Sequence, residues 1–308
     1  MSYAILFPGQ GSQHPDMLPW LEAETSAAAP LLAMARHLGH DWRARLSDLE
    51  ELSRNRFAQV LVTGVSLAAW GAVSAHLNEG PAVVAGYSVG ELAAVACAGA
   101  FDPTDAVALA AQRAQAMDAA AGGVPGGLLS VSGLHQDSIA RQLAGWPLEV
   151  AIRIGPDHLI LAGATGALQQ AEALLAAAGG HCKTLPIRIA SHSSAMRAAA
   201  ESFAQTLAGI PWQPLRCAVA ANATGSALRR VEQMRPALSQ QIDHTVQWSS
   251  CLETLAERQV DRVIEIGPGR ALSAMWSRQF PAIPVRALED FRSAKAAADW
   301  LTDPAVRS

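Results

Sequence analysis

Spacings that would hold a metal are missing from this chain. Its nine histidines form no HxH or HExxH cluster, and its four cysteines (Cys97, Cys182, Cys217, Cys251) form no C-x-x-C pair. No resident metal is expected, and the cysteines read as small buried apolar residues in a reducing compartment. Charge is sparse, at 16% of residues with a formal net of −4, and no basic run occurs. That argues against a nucleic-acid partner. No stretch reads as a clean membrane span, because polar residues or glycine interrupt the alanine-rich segments. The start, Met1 to Gly9, has no charged region and no adequate apolar region of a signal peptide, so it reads as a strand. The expected setting is cytoplasmic, without a membrane.

What the chain does have is apolar bulk. Half of its 308 residues are hydrophobic, enough for a large core in one domain or one domain with an insert. The stretch from Pro81 to Ala96 organises it. Ala82 to Ala85 read as a buried strand, Gly86-Tyr87-Ser88-Val89-Gly90 fits G-x-S-x-G, and strong helix formers follow. This is the strand–turn–helix context of a nucleophile elbow, in which Ser88 Oγ is held at a helix N-terminus near backbone N–H groups. The pattern alone is common, and a plain βα turn fits it as well.

Along the chain, Tyr3–Phe7 is a strand leading into Pro8-Gly9-Gln10-Gly11-Ser12-Gln13. That turn lacks phosphate-loop spacing and is suited to bringing a backbone N–H to the carboxyl edge of a sheet. Residues 20–53 read as helical pieces and 55–76 as a longer helix. A helix starts at Asp102-Pro103 and runs to about Ala121. It carries Arg113 among small and apolar residues, with Met117 one turn on. Such an arginine snorkels, pairs with an acid or awaits an anion, and from the residues alone an acid pair is the better reading.

Residues 124–189 have the order β-α-β-β-α-β of a ferredoxin-like unit. The expected fold is therefore α/β: a large α/β-hydrolase-like domain with a parallel sheet (1–123 and 190–308), plus an inserted small ferredoxin-like α+β subdomain (124–189). His192, in Ser191-His192-Ser193 where the chain re-enters the large domain, is the candidate base. Core strands are expected at 215–220 and 263–266, a last helix near Arg270, and a surface tail after Leu288.

Several motifs occur together in order: Phe7-Pro8-Gly9-Gln10-Gly11-Ser12-Gln13, Gly86-Tyr87-Ser88-Val89-Gly90-Glu91, Gln112-Arg113 with Met117, Ser191-His192, Asn222-Ala223-Thr224-Gly225, Gln247-Trp248 and Glu265-Ile266-Gly267-Pro268-Gly269. With this set the chain resembles the malonyl-CoA:acyl carrier protein transacylases over nearly its whole length. The resemblance implies a ping-pong S-malonyltransferase. Ser88 becomes malonylated, His192 is the base, and the main-chain carbonyl of Gln241 holds the other imidazole nitrogen. The backbone N–H groups of Gln10 and Val89 form the oxyanion hole, and Gln10, Arg113 and Met117 contact the substrate, with Arg113 on the malonyl carboxylate. No cofactor is bound. The substrates are malonyl-CoA and an acyl carrier protein bearing phosphopantetheine or a dephospho-CoA-type prosthetic group.

The sequence also departs from that family. Tyr87 stands where histidine is usual, Ile152-Arg153-Ile154 replaces Asn-x-Asn, and Asn55-Arg56-Phe57 replaces Thr-Gln-Pro, with Arg56 expected to face the cleft. These features look more like the malonate decarboxylase epsilon subunit, whose partners include the other decarboxylase subunits. The alternatives are a malonyl transacylase of fatty acid or polyketide synthesis, a serine thioesterase or hydrolase, and a catalytically inactive docking module. Arg153, Lys183 and Arg188 are candidates for contact with an acidic carrier.

Overall fold

The strand Tyr3–Phe7 (β1) is apolar throughout and buried on both faces, as the centre of a parallel sheet requires. In the computed structural model, which describes residues 2–304, β1 pairs in parallel with Val83–Gly86 (β2) on one side and Arg262–Glu265 (β9) on the other. The ferredoxin-like unit supplies Gly126–Ser132 (β3), Leu148–Gly155 (β4), His158–Ala164 (β5) and His181–Thr184 (β6). Ala218–Ala220 (β7), Ala227–Leu228 (β8) and Val285–Ala287 (β10) complete the larger sheet, in the order β10-β9-β1-β2-β7-β8. Only β8 runs antiparallel to its neighbour. The carboxyl ends of β1, β2, β7 and β9 therefore share one edge, where open α/β sheets place their ligands.

Alternation along β1 divides the core. Ile5 and Phe7 face the helices Asn55–Ser74, Gly90–Cys97 and Pro103–Ala121. Ala4 and Leu6 face Trp248, Leu252 and Trp276. The smaller sheet is antiparallel in the order β4-β5-β3-β6, the ferredoxin-like arrangement that its element order predicts. One face, including Leu129, Val131, Leu159 and Leu161, packs on its own helices Gln136–Gln142 and Thr165–Ala177. The other, with Leu128, Ile152 and Ile160, joins the second core of the larger sheet. The small sheet is also tied by backbone to the segment before the helix Trp248–Ala256: Arg153 N–H donates to Val246 O at 2.9 Å, and Val246 N–H to Ala151 O at 2.9 Å.

The structure corrects four expectations. The helix Asn55–Ser74 does pass for a membrane span by length and apolarity, yet 83% of the qualifying window is buried inside the protein, so it is a core helix. The strand expected over 215–220 is only β7, because Arg216 N–H instead bonds Ala98 O. The chain after Leu288 is not a surface tail. It forms a further helix, Ala294–Thr302, started by Ser293 Oγ accepting from Ala296 N–H, and it buries Ala294, Ala297, Ala298 and Leu301. Two of the cysteines, Cys217 and Cys251, are buried, whereas Cys97 and Cys182 are only half-buried.

Leu301 is fully buried, so Leu301→Ala should lower the unfolding free energy by about 2–5 kcal/mol. Urea denaturation checks this; an unchanged midpoint would return the segment to the surface.

Candidate active site

Ser88 lies at the carboxyl end of β2, between the strand and the helix Gly90–Cys97, with φ +55°. A non-glycine residue there stores about 1–3 kcal/mol of backbone strain. The glycines on either side are needed for close approach. A Cβ on Gly86 would lie 2.0 Å from Gly90 O, and one on Gly90 2.4 Å from Phe7 O. The turn after β1 is thereby pressed against the elbow.

His192 also has a positive φ, +62°. Its Nε2 is 2.8 Å from Ser88 Oγ and its Nδ1 is 2.5 Å from Gln241 O. A carbonyl only accepts, so Nδ1 carries the hydrogen and the bare Nε2 accepts from the Ser88 hydroxyl. Its backbone N–H donates to Ile242 O, so residues 241–242 fix both ring and backbone. Burial, and then the nearby Arg113, push the imidazole pKa from 6.5 to about 3 and keep the ring neutral. No carboxylate orients this histidine; a main-chain carbonyl does.

Arg113 is fully buried beside this pair. Its Nη1 donates to Gln59 Oε1 at 2.6 Å and its Nη2 to Gln241 Oε1 at 3.1 Å, while Nε has no acceptor. The acid pair favoured by the residues alone is not found: Arg113 forms no ion pair within 4.0 Å with any described residue. Burial lowers its pKa to about 10, still cationic near neutrality. Gln59 in turn donates to Asn55 Oδ1 at 2.6 Å and to Met117 Sδ at 3.5 Å. Gln241 Nε2 reaches Ser88 O at 3.3 Å, so one glutamine touches the imidazole, the guanidinium and the elbow.

Gln10, Ser88, Arg113, Met117 and His192 line one narrow pocket of about 60 Å³. Tyr87, Leu128, Ile152, Ile160, Leu185 and Ile187 give it an apolar wall, of which Leu128, Ile152 and Ile160 come from the small sheet. The Gln10 and Val89 N–H groups donate to no described residue. A second cleft of about 340 Å³ shares Gln10, Tyr87, Ile160, Leu185 and Ile187 with the pocket and extends past Lys183 and Met275. Arg56 does not line the pocket; it is exposed on the same helix, while Asn55 and Gln59 face inward. Arg153 is half-buried and bonded to Gln136 Oε1, whereas Lys183 and Arg188 are exposed. Among the described residues no group of three metal-ligating side chains occurs.

Sequence reasoning did not single out Gln59. It is a buried polar residue one helical turn from Asn55 in a mostly apolar helix, and that spacing was its available signal.

A serine on a strand-to-helix elbow, an imidazole on its hydroxyl and an inserted ferredoxin-like sheet place the protein among α/β enzymes of acyl transfer. Comparison with known proteins makes this specific. Residues 5–298 match the acyl transferase domain family. The malonyl CoA-acyl carrier protein transacylase of Salmonella typhimurium is 30% identical over 303 residues, covering 96% of this chain and 98% of the relative. The structure of an acyl-carrier-protein S-malonyltransferase from Burkholderia pseudomallei superposes with a TM-score of 0.89 at 27% identity, covering 97% and 100% of the two chains. A malonyl-transacylase in complex with a type II PKS acyl carrier protein superposes with a TM-score of 0.89 at 29% identity, covering 97% and 99%. The chain belongs to the acyl transferase domain family.

Burial raises the Glu91 carboxyl from 4.5 to about 8. The folded state then holds a proton that the unfolded state has released, so stability is full below 4.5 and is lost as pH rises through 8. Over that window the native protein should lose stability relative to Glu91→Gln, read as a growing difference between their urea midpoints; a difference that does not change with pH would show that Glu91 contributes nothing to the profile.

Proposed function

We propose that this protein is a malonyl-CoA:acyl carrier protein S-malonyltransferase acting through an ester on Ser88. The observation that carries the reading is the buried Arg113 cation, without an ion-pair partner among the described residues, in the same pocket as Ser88 and His192. An acyl group with a second carboxylate would supply the missing negative charge, and a guanidinium recognises a carboxylate in bidentate fashion. The small pocket favours a short acyl group. The named relative and both superposed structures concern malonyl transfer, which supports the same choice.

In this mechanism Ser88 Oγ attacks the thioester carbonyl carbon while His192 Nε2 takes the hydroxyl proton. The oxyanion forms against the N–H groups of Gln10 and Val89. Collapse breaks the C–S bond, and the imidazolium returns its proton to the departing CoA sulfur. In the second half the carrier thiol gives its proton to His192 and attacks the Ser88 ester. The proton then passes to Ser88 Oγ as the malonyl thioester leaves. Gln241 O stabilises the imidazolium without competing for its proton, and Met117 closes the wall beside Arg113. The longer cleft past Lys183 takes the extended arm of CoA or of the carrier.

We further assign the acceptor as the carrier of a malonate decarboxylase, with this chain as the epsilon subunit. Tyr87 and Ile152 support this, since both line the pocket at positions where the sequence departs from the fatty-acid-synthesis pattern.

Incubation with malonyl-CoA or acetyl-CoA and intact-mass analysis tests the chemistry. A malonyl adduct should form on the native protein and be absent from Ser88→Ala. Arg113→Ala should lose about a hundredfold or more in malonyl transfer while losing far less with acetyl-CoA. Equal losses would remove the carboxylate contact, and rapid hydrolysis without transfer would favour a thioesterase.

Transfer to two purified carriers tests the acceptor. One carries phosphopantetheine from fatty acid synthesis; the other carries the decarboxylase prosthetic group. Preference for the second is expected, and preference for the first would make this a transacylase of fatty acid or polyketide synthesis.

A further inference from the structure

The motif Asn222-Ala223-Thr224-Gly225 stands at the carboxyl end of β7, and the reaction above gives it no part. Asn222 is fully buried, and all four of its polar groups are engaged. Oδ1 accepts from Ser88 N–H at 2.9 Å, and Nδ2 donates to Gly86 O at 2.7 Å. Its backbone N–H donates to Glu91 Oε1 at 2.7 Å, and its carbonyl accepts from Gln247 N–H at 2.8 Å. Ser88 N–H can only donate and Gly86 O can only accept, so the amide has one possible orientation.

We infer that Asn222 is a positioning residue, acting through Ser88. Gly86 ends the strand, Ser88 is the elbow and Glu91 lies in the first turn of the helix; one asparagine pins all three. The peptide plane entering Ser88 is fixed by the N–H bond to Asn222. The plane leaving it is fixed by two donors on Ser88 O, the Glu91 N–H at 3.0 Å and Gln241 Nε2 at 3.3 Å. That second plane contains the Val89 N–H, which points opposite the Ser88 carbonyl. With both planes held, the strained φ of Ser88 is kept, Oγ stays on His192 Nε2, and the Val89 N–H keeps its aim. Without Asn222 the turn relaxes, and the hydroxyl leaves the imidazole before the acyl pocket is disturbed. Arg113 has its own partners, Gln59 and Gln241, and makes no hydrogen bond to Asn222.

The inference rests on Ser88 as the nucleophile but not on malonyl as the acyl group, and the experiment separates the two. Native protein, Asn222→Ala and Asn222→Asp are compared by the rate of Ser88 malonylation at saturating malonyl-CoA, by the half-saturating concentration, and by labelling with a serine-directed fluorophosphonate. The last reads the serine–imidazole pair without Arg113. Asn222→Ala should slow malonylation and labelling alike by about tenfold to a hundredfold, with half-saturation within about threefold of native. Asn222→Asp keeps the volume and the acceptor for Ser88 N–H but sets an acceptor against Gly86 O, and should also slow both. It decides the matter if the alanine variant does not fold. Native labelling rates in a folded variant would overturn the inference. A rise in half-saturation with unchanged maximal rate would also overturn it, by placing Asn222 in substrate binding. Labelling of the native protein without malonylation would sink the malonyl reading and leave the labelling rates to judge Asn222.

Discussion

Backbone packed on backbone at the elbow is the constraint on which the rest of this molecule depends. The turn after β1, the end of β2 and the start of the helix Gly90–Cys97 meet at distances that leave no space for a Cβ at Gly86 or Gly90. That contact sets where the serine projects. It also brings Gln10, in the turn after β1, into the same pocket. Asn222 after β7, His192 after the insert and Gln241 after the helix Val231–Gln240 reach in from loops, while Gln59, Arg113 and Met117 reach in from the helices Asn55–Ser74 and Pro103–Ala121. The loops are long-range neighbours held by hydrogen bonds to one another, so the geometry is the property of a network.

Burial then sets the electrostatics. The same dry surroundings hold His192 neutral, raise Glu91 towards neutrality and leave Arg113 charged. These shifts have a common cause and differ in outcome because guanidinium is the hardest of the three groups to neutralise. The site presents one positive charge, a neutral imidazole and a neutral hydroxyl. That is the match the proposed malonyl substrate requires, an anion whose reacting end is uncharged.

Much of this was legible in the sequence where the signal is local. The elbow, the glycine turn after β1 and the β-α-β-β-α-β order of the insert each occupy a short contiguous stretch, and the structure has them as read. The partners of Arg113 were not legible, because Gln59 and Gln241 lie 54 and 128 residues away in sequence. Arg56 was expected in the cleft. On a helix it lies about 100° from Asn55, and it is Asn55 and Gln59, one turn apart, that share the inward face. The last helix carried its period in Ala294, Ala297, Ala298 and Leu301, but three of these four are alanines and give a weak apolar signal. The helix Asn55–Ser74 shows the opposite: it is apolar nearly all round because the protein surrounds it nearly all round.

The join between the small sheet and the chain at Val246 has a mechanical consequence. β4 is stitched to Val246 by two backbone hydrogen bonds, and Glu149 on that strand also binds the N–H and hydroxyl of Ser194, two residues beyond His192. Val246 lies four residues past Ile242, whose carbonyl holds the His192 backbone. The small sheet and the imidazole thus ride on one frame. In the proposed reaction, displacing the apolar wall of the pocket would strain the frame that holds His192, which couples the shape of the acyl chamber to the alignment of the proton path.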